Sequence, residues 1–316
     1  MRKFLGKCLL LALFLLTLTL FMLKFSTHET LGPVIAKLTG STEYLEGYNQ
    51  GPIEILPYID KVRTKDSSTK LILGDSVCFR MFSELQDLNP DYCIAGSNRG
   101  VTMSGQYILL HEYLKNHKDA TDVYLILIED SLLTTYETGY GYQYAVMPFV
   151  MTKNIDLLDE QSISDMKHTY GGFMLRRKSV FFINESAFGK KMYLNLLNKL
   201  KPVTSTYDIP DVANRYIPKM HELCDKNNVT LHLIASPLTD TKERHEIEPI
   251  LRKNYENSEI YKYFPNYFDQ IHYYDASEFS DGVHPSVSRE RLDEMIRDMK
   301  EASDALSDLT LPSDLP

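Results

Sequence analysis

The chain has 316 residues, a net charge of -9, 43% hydrophobic and 24% charged residues. That balance belongs to a folded globular chain, and the length suits one large domain or two small ones. No basic run follows the first few residues, which excludes the electrostatic footprint of a nucleic-acid binder.

The N-terminus opens with Arg2, Lys3 and Lys7, then stays uncharged from Cys8 to Leu23. Counting Phe4 to Leu23, the segment approaches the roughly 20 residues that cross a bilayer as a helix. Its end, Leu20-Phe21-Met22-Leu23-Lys24, has no small-x-small cleavage site, so an uncleaved signal anchor is expected rather than a removable signal peptide. The basic residues at its start place the N-terminus in the cytoplasm and the remaining chain outside. Residues 1–25 are therefore read as a cytoplasmic tip and anchor, contacting the membrane through residues 4–23. Residues 26–65 are read as a linker and lead-in.

The first clear strand is Lys70-Leu-Ile-Leu-Gly74, followed by a short apolar stretch at Tyr92–Gly96. Gly105–Leu114 has helical spacing, and Asp122–Glu129 is a continuous β-rich run of the kind buried on both faces. An amphipathic helix is expected over Val212–Asn227, a strand over Val229–Ala235, a short strand over His272–Asp275 and a closing helix over Arg289–Ala305. Strands alternating with helices imply an α/β domain with a parallel sheet, spanning residues 66–308. Residues 131–205 break the rhythm. They carry Tyr136, Tyr140, Tyr142 and Tyr144 and then Arg176, Arg177 and Lys178, and are read as an insertion, either a lid or ordinary surface helices. The tail, 309–316, holds two prolines and is expected to fray.

Three loops carry residues suited to chemistry. Gly74-Asp75-Ser76 ends the first strand and opens a helix, where α/β sheets expose ligand-binding groups and unpaired N–H groups can meet a developing oxyanion. By itself such a Ser is equally a helix N-cap. Asp281-Gly-Val-His284 precedes the last helix, and an Asp and His three residues apart on one loop can form the base and its orienting partner for a nucleophilic Ser. Gly96-Ser-Asn98-Arg-Gly100 follows the second strand and offers a backbone N–H and an amide as further oxyanion donors. No metal or cofactor motif is present. His111 and His117 do not share a helix face, and His232 lies within a strand, the setting of a packed residue. Cys78, Cys93 and Cys224 form neither a zinc pattern nor a disulfide framework, although a Cys78–Cys93 bridge is left open by an oxidising compartment.

The order Gly74-Asp75-Ser76, a Gly/Asn loop, and Asp281-x-x-His284 near the end resembles the SGNH (GDSL-type) hydrolase family over residues 68–302. The resemblance implies a flavodoxin-like three-layer α/β fold, with Ser76 as nucleophile, His284 as base, Asp281 as its partner, and the N–H groups of Ser76 and Gly96 as oxyanion donors. The run Ala95–Tyr107 resembles a narrower group, membrane-anchored SGNH proteins that act beside membrane-bound O-acyltransferases on cell-surface polysaccharides. It implies a serine O-acyltransferase or esterase, with acetyl as the expected acyl group and a polysaccharide as substrate. One block departs from the family. Its third block carries Gly-x-Asn-Asp, whereas this chain reads Leu127-Ile-Glu129-Asp130-Ser131. Either Asn98 substitutes or the oxyanion hole is weaker, and Glu129 and Asp130 are expected to cap a helix. A non-catalytic glycan-binding partner of an acyltransferase is the alternative.

Overall fold

The computed structural model describes residues 2–25, 55–97, 102–137, 149–150, 154–172, 175–176 and 207–314, together with residues 31, 34 and 38. Helix α1, Arg2–Phe25, contains a 19-residue stretch, Lys3–Phe21, long and apolar enough to cross a membrane. From Phe4 to Phe21 its leucines and phenylalanines are exposed, an arrangement that water disfavours and lipid or a translocation machinery accepts. Such a helix serves as a membrane anchor or a signal sequence.

The body is built on four parallel strands: β1 (Lys70–Gly74), β2 (Tyr92–Ile94), β3 (Asp122–Leu127) and β4 (Thr230–Ala235), in the order β2-β1-β3-β4. Register runs Leu71 to Cys93, Leu73 to Leu125, and Leu125 to Leu233. Four of the five β1 residues and five of the six β3 residues are buried, as parallel strands covered on both faces must be. Alternate side chains divide the core in two. Leu71, Leu73, Val123, Leu125 and Leu233 meet one set of helices: α2 (Ile55–Arg63), α4 (Met103–Asn116) and α7 (Asp211–Lys226). Ile72, Tyr124, Ile126 and Ile234 meet the other: α3 (Ser76–Phe82) and α9 (Arg289–Ser303). The sheet thus lies between two helical layers, and the chain order reverses direction across the sheet between β1 and β3. In α/β sheets the crevice at that switch point is the place for a site.

A second parallel pair, β5 (Leu238–Asp240) and β6 (Tyr273–Asp275), follows β4, with helix α8 (Lys242–Glu256) between its strands. The sequence reading misses β5 because three residues leave no period to detect. It misses α8 because that helix buries only Leu251 and Tyr255.

Two expectations are corrected and one open alternative is closed. The lead-in at 26–65 ends in a helix, α2, whose Ile59 and Val62 are core residues and whose Arg63 Nε donates to Glu112 at 2.5 Å. The tail is docked, not frayed, up to residue 314. Leu309 and Leu311 are buried, Asn89 bonds Thr310 through both its amide N and its O, and Asp293 accepts from Ser313 N–H and hydroxyl. Two leucines on the α9 face outweigh the local effect of two prolines. Cys78, Cys93 and Cys224 are free, buried thiols. Cys78 belongs to one face of the sheet and Cys93 to the other, which rules out a bridge between them.

The described part of the insertion is packed onto the body. Helices α5 (Glu129–Leu132) and α6 (Glu160–Tyr170) belong to it. Tyr216 donates to Ser162 Oγ at 3.1 Å, and Lys219 pairs with Asp159. Tyr136 is buried and donates to Ser104. Tyr140, Tyr142, Tyr144, Arg177 and Lys178 lie outside the described residues.

Candidate active site

The position of Ser76 is set by β1 and its turn into α3. Gly74 is required there: a Cβ would stand 2.2 Å from Ile126 O and 2.5 Å from Cys78 Cβ. Asp75 caps α3, accepting through Oδ1 from the N–H groups of Val77 and Cys78. Through Oδ2 it accepts from Ile128 N–H at 2.8 Å and the Ser131 hydroxyl at 2.7 Å. One buried carboxylate therefore ties the first turn of α3 to the end of β3. Burial pushes the Asp75 carboxyl up, against the pull of these four donors. Ser76 is left as the first residue of α3, partly exposed at the carboxyl edge of the sheet. The helix N-cap expected of this motif is real, but Asp75 fills it, which frees the Ser76 side chain.

His284 arrives from 208 residues away in sequence. The loop between β6 and α9 is a tight turn with Gly282 at φ +76°, a conformation that favours glycine. Ser280 N–H donates to His284 O, and Phe279 and Pro285 form an isolated antiparallel bridge. Asp281 Oδ1 accepts from the N–H groups of Val283 and His284. Its Oδ2 stands 2.8 Å from His284 Nδ1, and His284 Nε2 stands 2.8 Å from Ser76 Oγ. In the tautomer with Nδ1 protonated, the imidazole donates to Asp281 and accepts from Ser76. The His284 backbone N–H, then its ring, then the Val283 N–H hold the Asp281 carboxyl down to about 2. It is thus ionised whenever the imidazole is neutral.

Two further contacts hold the loop. Arg80, one turn after Ser76 on α3, donates from Nε to Pro285 O at 3.1 Å. Thr239 on β5 donates to Gly282 O at 3.0 Å. Neither is signalled by the sequence, because each acts on a main-chain carbonyl.

The second-strand loop is described as far as Ser97. Gly96 is buried, and a Cβ there would stand 2.7 Å from Cys78 Sγ and 3.0 Å from Phe79 N, so only glycine fits against α3. Ala95 N–H and Ser97 N–H bond Ile72 O and Gly74 O. Alternation along a parallel strand then turns the Gly96 N–H away from β1. Asn98 lies outside the described residues.

The third-block residues do something other than cap. The N-cap of α5 is Ile128, with no side-chain cap bond. Glu129 and Asp130 instead hold Arg244 of α8: its Nη1 pairs with Glu129, and its Nη2 donates to Asp130 at 2.8 Å. Glu129 is buried, and burial pushes its carboxyl up to about 7 despite the Arg244 charge. The sequence signal for this cluster is weak, since Arg244 is one of several charges on a polar helix.

His117 bonds Tyr113 O and Asp66 and stacks on the Tyr113 ring, while His232 bonds Asp122 and stacks on Tyr124. Both are occupied by packing and hydrogen bonds. Among the described residues no group of His, Cys, Asp and Glu is arranged to hold a metal ion.

A scan against protein-family models finds no match for this chain, and a search of curated proteins finds none either.

Proposed function

We propose that the body of this protein is an SGNH-type serine acyl-transfer enzyme, held at the outer face of a membrane by α1 and acting on a cell-surface polysaccharide. The observation that carries this proposal is the relay of two 2.8 Å contacts, from Asp281 to His284 and from His284 to Ser76, at the carboxyl edge of a parallel sheet. The strand order β2-β1-β3-β4 and the helical layers on both faces support the family fold. The basic residues Arg2, Lys3 and Lys7 in the first turns of α1 support a cytoplasmic N-terminus.

In the mechanism, His284 Nε2 takes the Ser76 proton as Oγ attacks an ester carbonyl. The tetrahedral oxyanion accepts from the Ser76 and Gly96 N–H groups. Val77, Cys78 and Ile128 are excluded from that task, because Asp75 already takes their N–H groups. The intermediate collapses to acyl-Ser76, and the leaving alkoxide takes the proton from His284. A sugar hydroxyl then gives its proton to His284 and attacks the acyl carbon; the bond to Ser76 Oγ breaks, Oγ takes the proton back from His284 Nε2, and the sugar ester departs. Asp281 stays ionised and holds the tautomer and the imidazolium. Water in place of the sugar makes the same site an esterase, and acetyl is the acyl group that the family resemblance implies.

Turnover of a chromogenic acetyl ester by the full chain tests the scheme. Ser76→Ala and His284→Ala are expected to abolish it, and full turnover by Ser76→Ala overturns it.

One observation favours a second function. The third block holds two carboxylates clamped on Arg244, with no side-chain amide to serve an oxyanion. A glycan-binding scaffold beside a membrane-bound O-acyltransferase needs no such donor. Under that function a Ser76→Ala strain acylates its surface glycan normally, and under the enzyme it does not.

A further inference from the structure

Beside the triad loop lies a cavity of about 280 Å³ whose wall includes Gly282, the residue between Asp281 and Val283. Its other walls come from Asp130 of α5, which follows the carboxyl end of β3, from Tyr207, from Thr239 on β5, and from Thr241 and the first two turns of α8. We infer that this cavity is the subsite for the acceptor, and that it takes a single sugar ring without an anionic group. The inference rests on the acyl-transfer function proposed above.

Size comes first. Pockets for drug-sized ligands begin at about 300 Å³, so a cavity just below that limit suits one ring rather than a chain folded into it. Surface chemistry comes next. Tyr207 and Ile247 give an apolar wall, suited to the C–H face of a pyranose. Hydroxyls of Thr239 and Thr241 also line the cavity. Thr241 Oγ accepts from the Arg244 N–H, which leaves its proton for a ligand oxygen. Thr239 Oγ gives its proton to Gly282 O and keeps a lone pair for a sugar hydroxyl. Apolar side chains together with a hydroxyl donor and a hydroxyl acceptor suit the mixed C–H and O–H surface of a sugar ring.

Charge decides which sugar. The lining carries Asp130 and Glu243 against Arg244. The guanidinium is not available as an anion receptor, because one arm is paired with buried Glu129 and the other with Asp130. The positive end of α8 faces the same region, but Thr241 caps it and Glu243 stands in its first turn. A uronate or phosphorylated sugar would meet two lining carboxylates and a cation already spent, whereas an uncharged ring meets no such penalty.

The test is equilibrium binding to the full chain in detergent, read by saturation-transfer NMR. The probes are neutral trisaccharides of glucose, galactose and N-acetylglucosamine, set against a glucuronate trisaccharide. At least one neutral probe is expected to bind about tenfold more tightly than the glucuronate. Tyr207→Ala is expected to weaken it about tenfold, as truncation of a contact aromatic does. Glu243→Lys is expected to raise glucuronate affinity, and melting curves check that each variant is folded. Binding of no neutral probe, glucuronate preferred by the wild-type chain, or unchanged affinities in both folded variants overturns the inference. Failure of the acyl-transfer function shows separately, as full ester turnover in Ser76→Ala, and leaves the binding result standing.

Discussion

The two halves of the triad are mounted in opposite ways. Ser76 stands on a turn whose every constraint is buried: Gly74 against Ile126 O, and Asp75 accepting four hydrogen bonds within the sheet edge. Asp281 and His284 stand on a loop whose side chains are 55% and 28% exposed, held by main-chain bonds within the turn and by Arg80 and Thr239. Ser76 is part of the fold, while His284 is fastened onto it. Damage to the first region should register as lost stability, and damage to the second as lost turnover in a folded protein.

Asp281→Asn breaks the comparison most sharply. The amide can present its N–H side to His284 and favour the wrong tautomer, which in serine triads lowers turnover by about 10⁴-fold. Thermal melting should shift little, because the group is exposed. An equal loss of stability would show that the loop is structural after all.

Asp75→Ala is the counterpart on the buried side. It leaves the N–H groups of Val77, Cys78 and Ile128 without their acceptor, at a cost of about 3 kcal/mol or more. Urea unfolding should show this as a lower midpoint, with ester turnover falling in step with the folded fraction.

The third block sharpens the contrast by pH. Glu129 has an ordinary value of 4.5 and sits at about 7 in the fold. Its neutral form is the favoured buried one, so its contribution to stability is complete below pH 4.5 and is lost as pH rises through 7. The loss amounts to at most about 3 kcal/mol. Glu129→Gln should flatten stability between these pH values, measured by urea unfolding at each pH. A profile as steep as wild type would place the charged form of Glu129, paired with Arg244, as the stable one.

Arg80→Ala gives the smallest effect. Loss of its bond to Pro285 O should let the loop drift, lowering kcat by about tenfold with KM and stability nearly unchanged. A change in KM alone would assign Arg80 to substrate binding instead.

Much of the sheet was legible in sequence. Lys70–Gly74, Asp122–Leu127 and Thr230–Ala235 read as strands because burial on both faces demands unbroken apolar runs. That Ser76, Asp281 and His284 come together was legible because the proposed relay needs those residue types. The supports were not. Arg80 and Thr239 act on carbonyls that any residue supplies, and the Glu129–Arg244 pair joins positions 115 apart in sequence. Helix α2 and the docked tail escaped because each contributes only two core side chains, too few to make a period.

The most direct test of the central claim is to trap the acyl-enzyme. The full chain is mixed with a chromogenic acetyl ester, quenched in acid within the first turnover, and mapped by peptide mass spectrometry. One acetyl group on the peptide containing Ser76, absent in Ser76→Ala and accumulating in His284→Ala no faster than background, is the predicted result. Turnover with no adduct on Ser76, or an adduct that persists elsewhere in Ser76→Ala with full activity, would contradict it.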